Sequence, residues 1–305
     1  MAIKKVLILL ILNILYINAF SQQQTLQSLY MTENIYINPA LAGINDEFPV
    51  TLSVRTQWIG IENYPKTQIL SANKSIDINK QMGVGGIIYN DIVGFERRTG
   101  VSGVYSYKVS LGEKYKLSIG LSLSLYQYSV NEANYKIVDI KDPVFTSNRE
   151  NVVLPDAGTG IYFYSKKMFI GYSITQLFQN KINISGTVKD LKMLQHHYFM
   201  IGKNIEFNKN LKMSSYEIIR IVNKIGLPYT QFETNLTLTI RNKYWFGASY
   251  RSKNMMIFMF GFNFEKYKFG SAYSLTNGSL PNSKSNSLEI FIKADLYKVF
   301  KNQSN

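Results

Sequence analysis

Residues 116–127, KLSIGLSLSLYQ, alternate strictly: Leu117, Ile119, Leu121, Leu123 and Leu125 fall on one side of an extended chain, and Ser118, Gly120, Ser122 and Ser124 on the other. A period of two belongs to a β-strand with one apolar and one polar face. A secreted β-sandwich also supplies such strands, but its strands average about 5–6 residues, whereas about 9–11 tilted residues cross the hydrocarbon layer of a bilayer. No second long apolar stretch follows the amino-terminal one, so a mature chain that crosses a membrane must do so as a closed barrel.

The amino terminus, MAIKKVLILLILNILYINAFSQQ, passes from Lys4 and Lys5 through an apolar run, Val6 to Ile17, to the small residues Ala19 and Ser21. That order predicts a secretory signal peptide over 1–21, cut after Ser21. The run is short for a transmembrane anchor and Asn13 interrupts it. No Cys follows the cut, which excludes lipoprotein processing. The chain contains no Cys at all, which excludes disulfide scaffolds, thiolate metal sites and cysteine nucleophiles.

Fourteen alternating segments bounded by turn residues can be marked, at 50–58, 66–76, 82–90, 98–109, 115–127, 157–165, 168–176, 196–205, 211–222, 229–240, 243–251, 254–264, 267–276 and 286–297. They predict an all-β, antiparallel up-and-down barrel of about 14 strands spanning 49–297. A periplasmic or plug-like segment, 22–48, precedes it, and a tail, 298–305, follows. In the five that alternate most cleanly, 50–58, 115–127, 229–240, 243–251 and 286–297, one face lacks charge, as lipid requires; the polar faces include Arg55, Gln57, Glu233, Arg241, Glu289 and Lys293, as a polar lumen requires. All seven prolines fall outside the marked segments. Segments 3, 7 and 9 alternate poorly, and MGVGGIIYN (82–90) has the glycines of a bulge or of a close approach to another backbone.

Connections after even-numbered segments are short, and the two longest, 128–156 and 177–195, follow odd ones; 252–253 is a short exception. Outer-membrane barrels have short periplasmic turns and longer outer loops, so this parity predicts which end faces out. Trp58 is expected at the outer interface. Because first and last strands meet at closure, Arg55 is expected to face Glu289 or Asp295.

The net charge is +14, with Lys and Arg spread through turns and loops rather than gathered on one element. A nucleic-acid footprint would be concentrated, so the charge points to outer-membrane lipid, lipopolysaccharide or an acidic partner. No cofactor is implied. His196 and His197 are the only histidines, and adjacency in a strand sends them to opposite faces, which disfavours a shared metal. GVGG (83–86) and GTG (158–160) lack the strand, turn and helix context of a phosphate cradle. An enzyme is therefore not expected; a Ser and His pair in a lipid-modifying barrel is the alternative of that class.

The ordered set YMTENIYINPALAG (30–43), RTQWIG (55–60), YPKTQ (64–68), YNDIVG (89–94), YSY (105–107), PDAGTGIYFY (155–164), FIGYSI (169–174), HHY (196–198) and WFGASYR (245–251) resembles the PorP/SprF family of Bacteroidetes outer-membrane proteins. The resemblance implies an outer-membrane barrel of the type IX secretion or gliding machinery. It further implies two kinds of partner, periplasmic components of that system and a cognate secreted adhesin-like protein. The chain departs from the family pattern at NSLEI (286–290). On this view the turn signal of Asn38, Pro39 and Gly43 is a candidate docking element for the periplasmic machinery. A general diffusion or uptake channel is the alternative function.

Overall fold

A computed structural model describes residues 27–31, 34–45, 47–131, 149–182, 192–223, 229–252, 254–276 and 286–297. The predicted signal peptide, the tail and the centres of both long loops lie outside the described residues. A one-turn helix α1 (Asn34–Ile37) and a 3-10 turn (Pro39–Leu41) precede fourteen strands. These are β1 (Pro49–Gln57), β2 (Lys66–Ser75), β3 (Met82–Val93), β4 (Glu96–Leu111), β5 (Tyr115–Asn131), β6 (Arg149–Tyr164) and β7 (Met168–Thr175). The second half comprises β8 (His196–Asn208), β9 (Leu211–Val222), β10 (Tyr229–Ile240), β11 (Tyr244–Arg251), β12 (Met255–Phe264), β13 (Tyr267–Thr276) and β14 (Ser287–Asp295). Each strand pairs antiparallel with its neighbours in sequence, and β14 closes on β1 from Pro49↔Asp295 to Gln57↔Ser287.

The result is the expected closed up-and-down barrel of 14 strands. Its outer wall is apolar: Leu121, Leu123, Ile170, Phe246, Phe258 and Ile290 are all exposed, Leu123 by 70 %. An unbroken wall of this kind is stable only against lipid. Tyr115, Phe207, Tyr244 and Phe264 flank the short turns on the outside, where an interfacial aromatic girdle belongs.

Several sequence expectations change. The β3–β4 connection is only Gly94 and Phe95, because charges that resemble a loop have partners on neighbouring strands: Thr67 Oγ1 donates to the buried Asp91 (2.6 Å) and the exposed Arg97 to Asn90 (2.9 Å). Strand β6 begins at Arg149 rather than 157, so two prolines lie within strands. Pro49 opens β1, where a missing donor is harmless. Pro155 pairs with Leu125 of β5 but turns its carbonyl to the Asn180 amide, past Thr175 where β7 ends. Its nitrogen faces the same way, so no rung of the ladder is lost.

The lumen is filled by the segment before β1. Residues Gln27 to Tyr30 and Ile37 to Ala42 are buried inside the barrel, and the chain then descends to Phe48, whose amide donates to Asp295 at the base of β14 (3.1 Å). The wall receives this plug through its polar face. Ser173, Ser118 and Ser106 donate to the carbonyls of Ile37 (2.8 Å), Ala40 (2.6 Å) and Ala42 (2.7 Å), and Lys108 to that of Gly43. Where plug backbone touches wall backbone, the wall has glycine. A Cβ at Gly83, Gly120 or Gly160 would overlap the Ala42 carbonyl, the Pro39–Ala40 backbone or the Asn38 side chain. The close approach anticipated for MGVGG is this contact.

Ile35, Ile37 and Leu41 of the plug meet Ile69, Ile87, Val104 and Ile218 of the wall in an apolar core. At Ile87–Ile88 of β3 and Ile218–Ile219 of β9, neighbouring residues are apolar on both faces, one toward the plug and one toward lipid. That is why the alternation of these strands is weak in the sequence.

Two outcomes are expected. Leu121→Arg, which places a charge in lipid, lowers folding stability by about 2–4 kcal/mol near the midplane. Thr239→Arg, facing an open part of the lumen, costs far less; folded yields in detergent, read as the heat-sensitive fast-migrating band, compare the two. Gly120→Val forces the plug off the wall, costing roughly 1–3 kcal/mol by overpacking, whereas Gly103→Val meets nothing within 4 Å. Limited proteolysis should cut the 27–45 segment in the Gly120 variant and leave it intact in the Gly103 variant.

Candidate functional site

The upper lumen, toward the long loops, holds a buried ionic latch. Arg55 of β1 and Glu289 of β14 lie opposite in register, with Nη1 3.3 Å from Oε2, and are 2 % and 1 % exposed. Glu289 also accepts the backbone amides of Ser28 (2.6 Å) and Leu29 (3.1 Å), while Arg55 donates to the Ser28 hydroxyl (2.6 Å). A second pair, Arg251 and Glu233 (2.5 Å), lies opposite in register across the β10–β11 hairpin. Arg251 donates to the Gln27 carbonyl (3.1 Å), and Ser249 to Glu233 (2.7 Å). Two ion pairs thus clamp three consecutive plug residues. Buried charges are tolerable only when paired and hydrogen-bonded, as these are.

Asn38 anchors the middle of the plug. Its amide nitrogen reaches the Ile161 carbonyl (3.2 Å), its oxygen accepts the Ala40 amide (2.9 Å), and that second bond caps the 3-10 turn in which Pro39 presets φ. Gly43, at φ 60, donates its amide to Asn73 (2.9 Å). All three residues are buried in the lumen. There Asn38 bonds to Ile161 of β6 and Gly43 to Asn73 of β2, which holds the plug to the wall.

Among the expected lumen residues, the structure brings Arg55, Glu233 and Glu289 together around residues 27–29. Gln57 is half-buried at the upper end of β1. Lys293 faces the lower lumen, 4.0 Å from Glu47. Arg241 does not face the lumen: it is exposed in the β10–β11 turn at φ 52, because a tight turn needs left-handed residues there and Arg241 and Asn242 supply them. Trp58 lies just past β1 and is 38 % exposed.

Below the latch the plug leaves a cavity of about 410 Å³ against β6–β14. Met31, Tyr216, Trp245 and Phe291 supply its apolar wall, and Asn204, Ser214, Thr239, Asn263, Lys268 and Lys293 its polar one. These polar residues sit in the strand halves next to the short turns, and Asn204 and Lys268 are exposed, so the cavity reaches the surface at that end.

His196 is buried with Nδ1 2.8 Å from the Leu194 carbonyl, while His197, on the opposite face, has Nδ1 2.8 Å from the Tyr172 hydroxyl. No group of three metal-ligating His, Cys, Asp or Glu side chains occurs among the described residues.

The latch partners on the wall were within reach of sequence reasoning. A hairpin turning at 241–243 places 233 opposite 251, and closure places 55 opposite 289. Backbone amides at Ser28 and Leu29 and the serines that hold the plug carry no such signal, because a serine facing a carbonyl reads the same as a serine facing water.

Comparison with curated proteins gives no match. Among solved structures, the CymD monoaromatic hydrocarbon channel has a similar fold at 11 % identity and a TM-score of 0.52, over 86 % of this chain and 92 % of that one. The toluene transporter TbuX of Ralstonia pickettii gives 10 % and 0.48, over 88 % and 94 %. A FadL homologue of Pseudomonas aeruginosa gives 10 % and 0.47, over 85 % and 92 %. At such identities the likeness concerns the barrel alone. The sequence model for the type IX secretion system membrane proteins PorP/SprF matches residues 19–294. That match takes in the plug, both halves of the latch and the barrel to within one residue of the end of β14, and the chain belongs to the PorP/SprF family of type IX secretion system membrane proteins.

Proposed function

We propose that this protein is a non-enzymatic outer-membrane component of type IX secretion that helps a cognate adhesin-like substrate reach or stay on the cell surface. Family membership supports the pathway. The observation that carries the choice of scaffold over diffusion channel is the plug, whose backbone is hydrogen-bonded to side chains of β14, β7, β5 and β4.

In this reading the long connections after β5 and β7 face outward and recognise the substrate, since long loops vary without disturbing a ladder. The short turns face the periplasmic machinery. The plug keeps the wall rigid and the lumen sealed while partners bind at either end.

Deleting residues 134–146 should leave a normally inserted barrel and remove one large type IX substrate from the cell surface, as read by surface proteomics. Unchanged display would overturn the loop assignment, and loss of all type IX substrates would indicate a core role instead. In planar bilayers the native protein should conduct little. Glu289→Ala leaves Arg55 buried without its carboxylate, a loss of about 3–5 kcal/mol, and frees the Ser28 and Leu29 amides; conductance should rise. A large conductance in the native protein, unchanged by the substitution, would favour a channel.

A further inference from the structure

We infer that the cavity at the short-turn end is a docking site for an acidic, extended polypeptide segment of a periplasmic partner. This rests on the reading that the short-turn end faces the periplasm.

Two lysines define the site. Lys268 of β13 and Lys293 of β14 are directly opposite in register and both line the cavity. Like charges directly opposite on a sheet repel each other. Glu47 pairs with Lys293 at 4.0 Å from the plug side, and among the described residues that line the cavity none is a carboxylate. Glu47 partly compensates Lys293, and a carboxylate bound beside the exposed Lys268 would lower the remaining repulsion, which gives the cavity a preference for anions.

The rest of the lining favours a polypeptide over a small anion. Asn204 and Asn263 present side-chain amides: the Asn204 oxygen accepts from Ser214 (2.8 Å) and the Asn263 nitrogen donates to the Asn242 carbonyl (2.8 Å), which leaves the Asn204 nitrogen to donate to a peptide group and the Asn263 oxygen to accept from one. Trp245 and Phe291 supply an apolar wall for side chains. A volume of about 410 Å³ is within the range of sites that bury a ligand of several residues' bulk, roughly 300–1,000 Å³.

The approach to the cavity carries the same sign. Each of the six short turns contains at least one Lys or Arg, against acidic residues in only three of them. Of those three acids, Asp77 already accepts the amides of Gln81 (2.9 Å) and Met82 (2.6 Å). The mouth is therefore ringed by a positive collar that attracts an acidic chain before the cavity engages it.

Trp245 makes occupancy measurable. The chain has two Trp, and Trp58 lies at the other end of the barrel, so Trp58→Phe leaves Trp245 as the sole reporter. The purified protein in uncharged detergent is titrated with a peptide of repeated Gly-Asp-Glu, and acrylamide quenching of Trp245 is followed. The acidic peptide should protect Trp245, with the effect weakening as salt is raised. A Gly-Asn-Gln peptide and inorganic phosphate should not. Lys268→Glu should weaken the acidic peptide about tenfold, and Lys114→Glu, on the collar at the β4–β5 turn, far less.

Equal protection by the acidic and amide peptides would overturn the proposal. So would protection by phosphate alone, or a larger loss from Lys114→Glu than from Lys268→Glu. Displacement of the peptide by vesicles containing phosphatidylglycerol would assign the collar to lipid headgroups instead. Because the assay is made on the isolated barrel, its outcome is separate from that of the loop deletion: peptide binding can stand where adhesin display is unaffected, and the reverse.

Discussion

Closure of the sheet governs everything else in this molecule. In hydrocarbon an unpaired strand edge leaves backbone groups without partners, each at a cost of several kcal/mol, so β1 and β14 must meet. At that seam the chain places a charge on each side, Arg55 and Glu289, on the face turned away from lipid. The same carboxylate binds two amides of the plug. One group therefore joins the wall to itself and to its contents, and the position of residues 27–29 follows from where the sheet closes.

The lumen is divided as a result. One side, β2 to β7, is packed by the plug through serine hydroxyls, interior glycines and an apolar core. The other side, below the latch, retains a cavity with lysines and side-chain amides. The upper end is closed by ion pairs and the lower end is open. The asymmetry matches the connections, long above and short and basic below.

Much of the wall was legible in the sequence because lipid imposes a simple rule: β5 and β10 alternate cleanly since one face meets hydrocarbon and the other meets hydroxyls and charges. Where the inner face meets the plug core instead, as at Ile87 of β3 or Ile218 of β9, both faces are apolar and the period fades. The starts of β6 and β4 and the end of β3 read as loops because Asp91, Glu96, Arg97 and Pro155 usually mark loops; with partners on neighbouring strands, as Asp91 has in Thr67 and Arg97 in Asn90, such charges become strand residues. The turn at Asn38, Pro39 and Gly43 was visible, but its destination was not, since a capped turn looks the same in solvent and inside a barrel. Arg241 misled for a related reason: parity along β10 carries on past Ile240, whereas the strand does not.

The plug also has a consequence for biogenesis. It precedes β1 in the chain, yet the groups that hold its first described residues, Glu233, Arg251 and Glu289, are supplied by β10, β11 and β14. Glu289 arrives only with the final strand. The bonds of the first described plug residues can therefore be complete only when β10, β11 and β14 are all in place. The β1–β14 seam and the plug share one carboxylate, Glu289, so each is complete only with the other. A barrel assembled this way carries its own check on completion, because a sheet that closes around an empty interior leaves Arg55 and Glu289 without the Ser28 and Leu29 groups that complete their bonding.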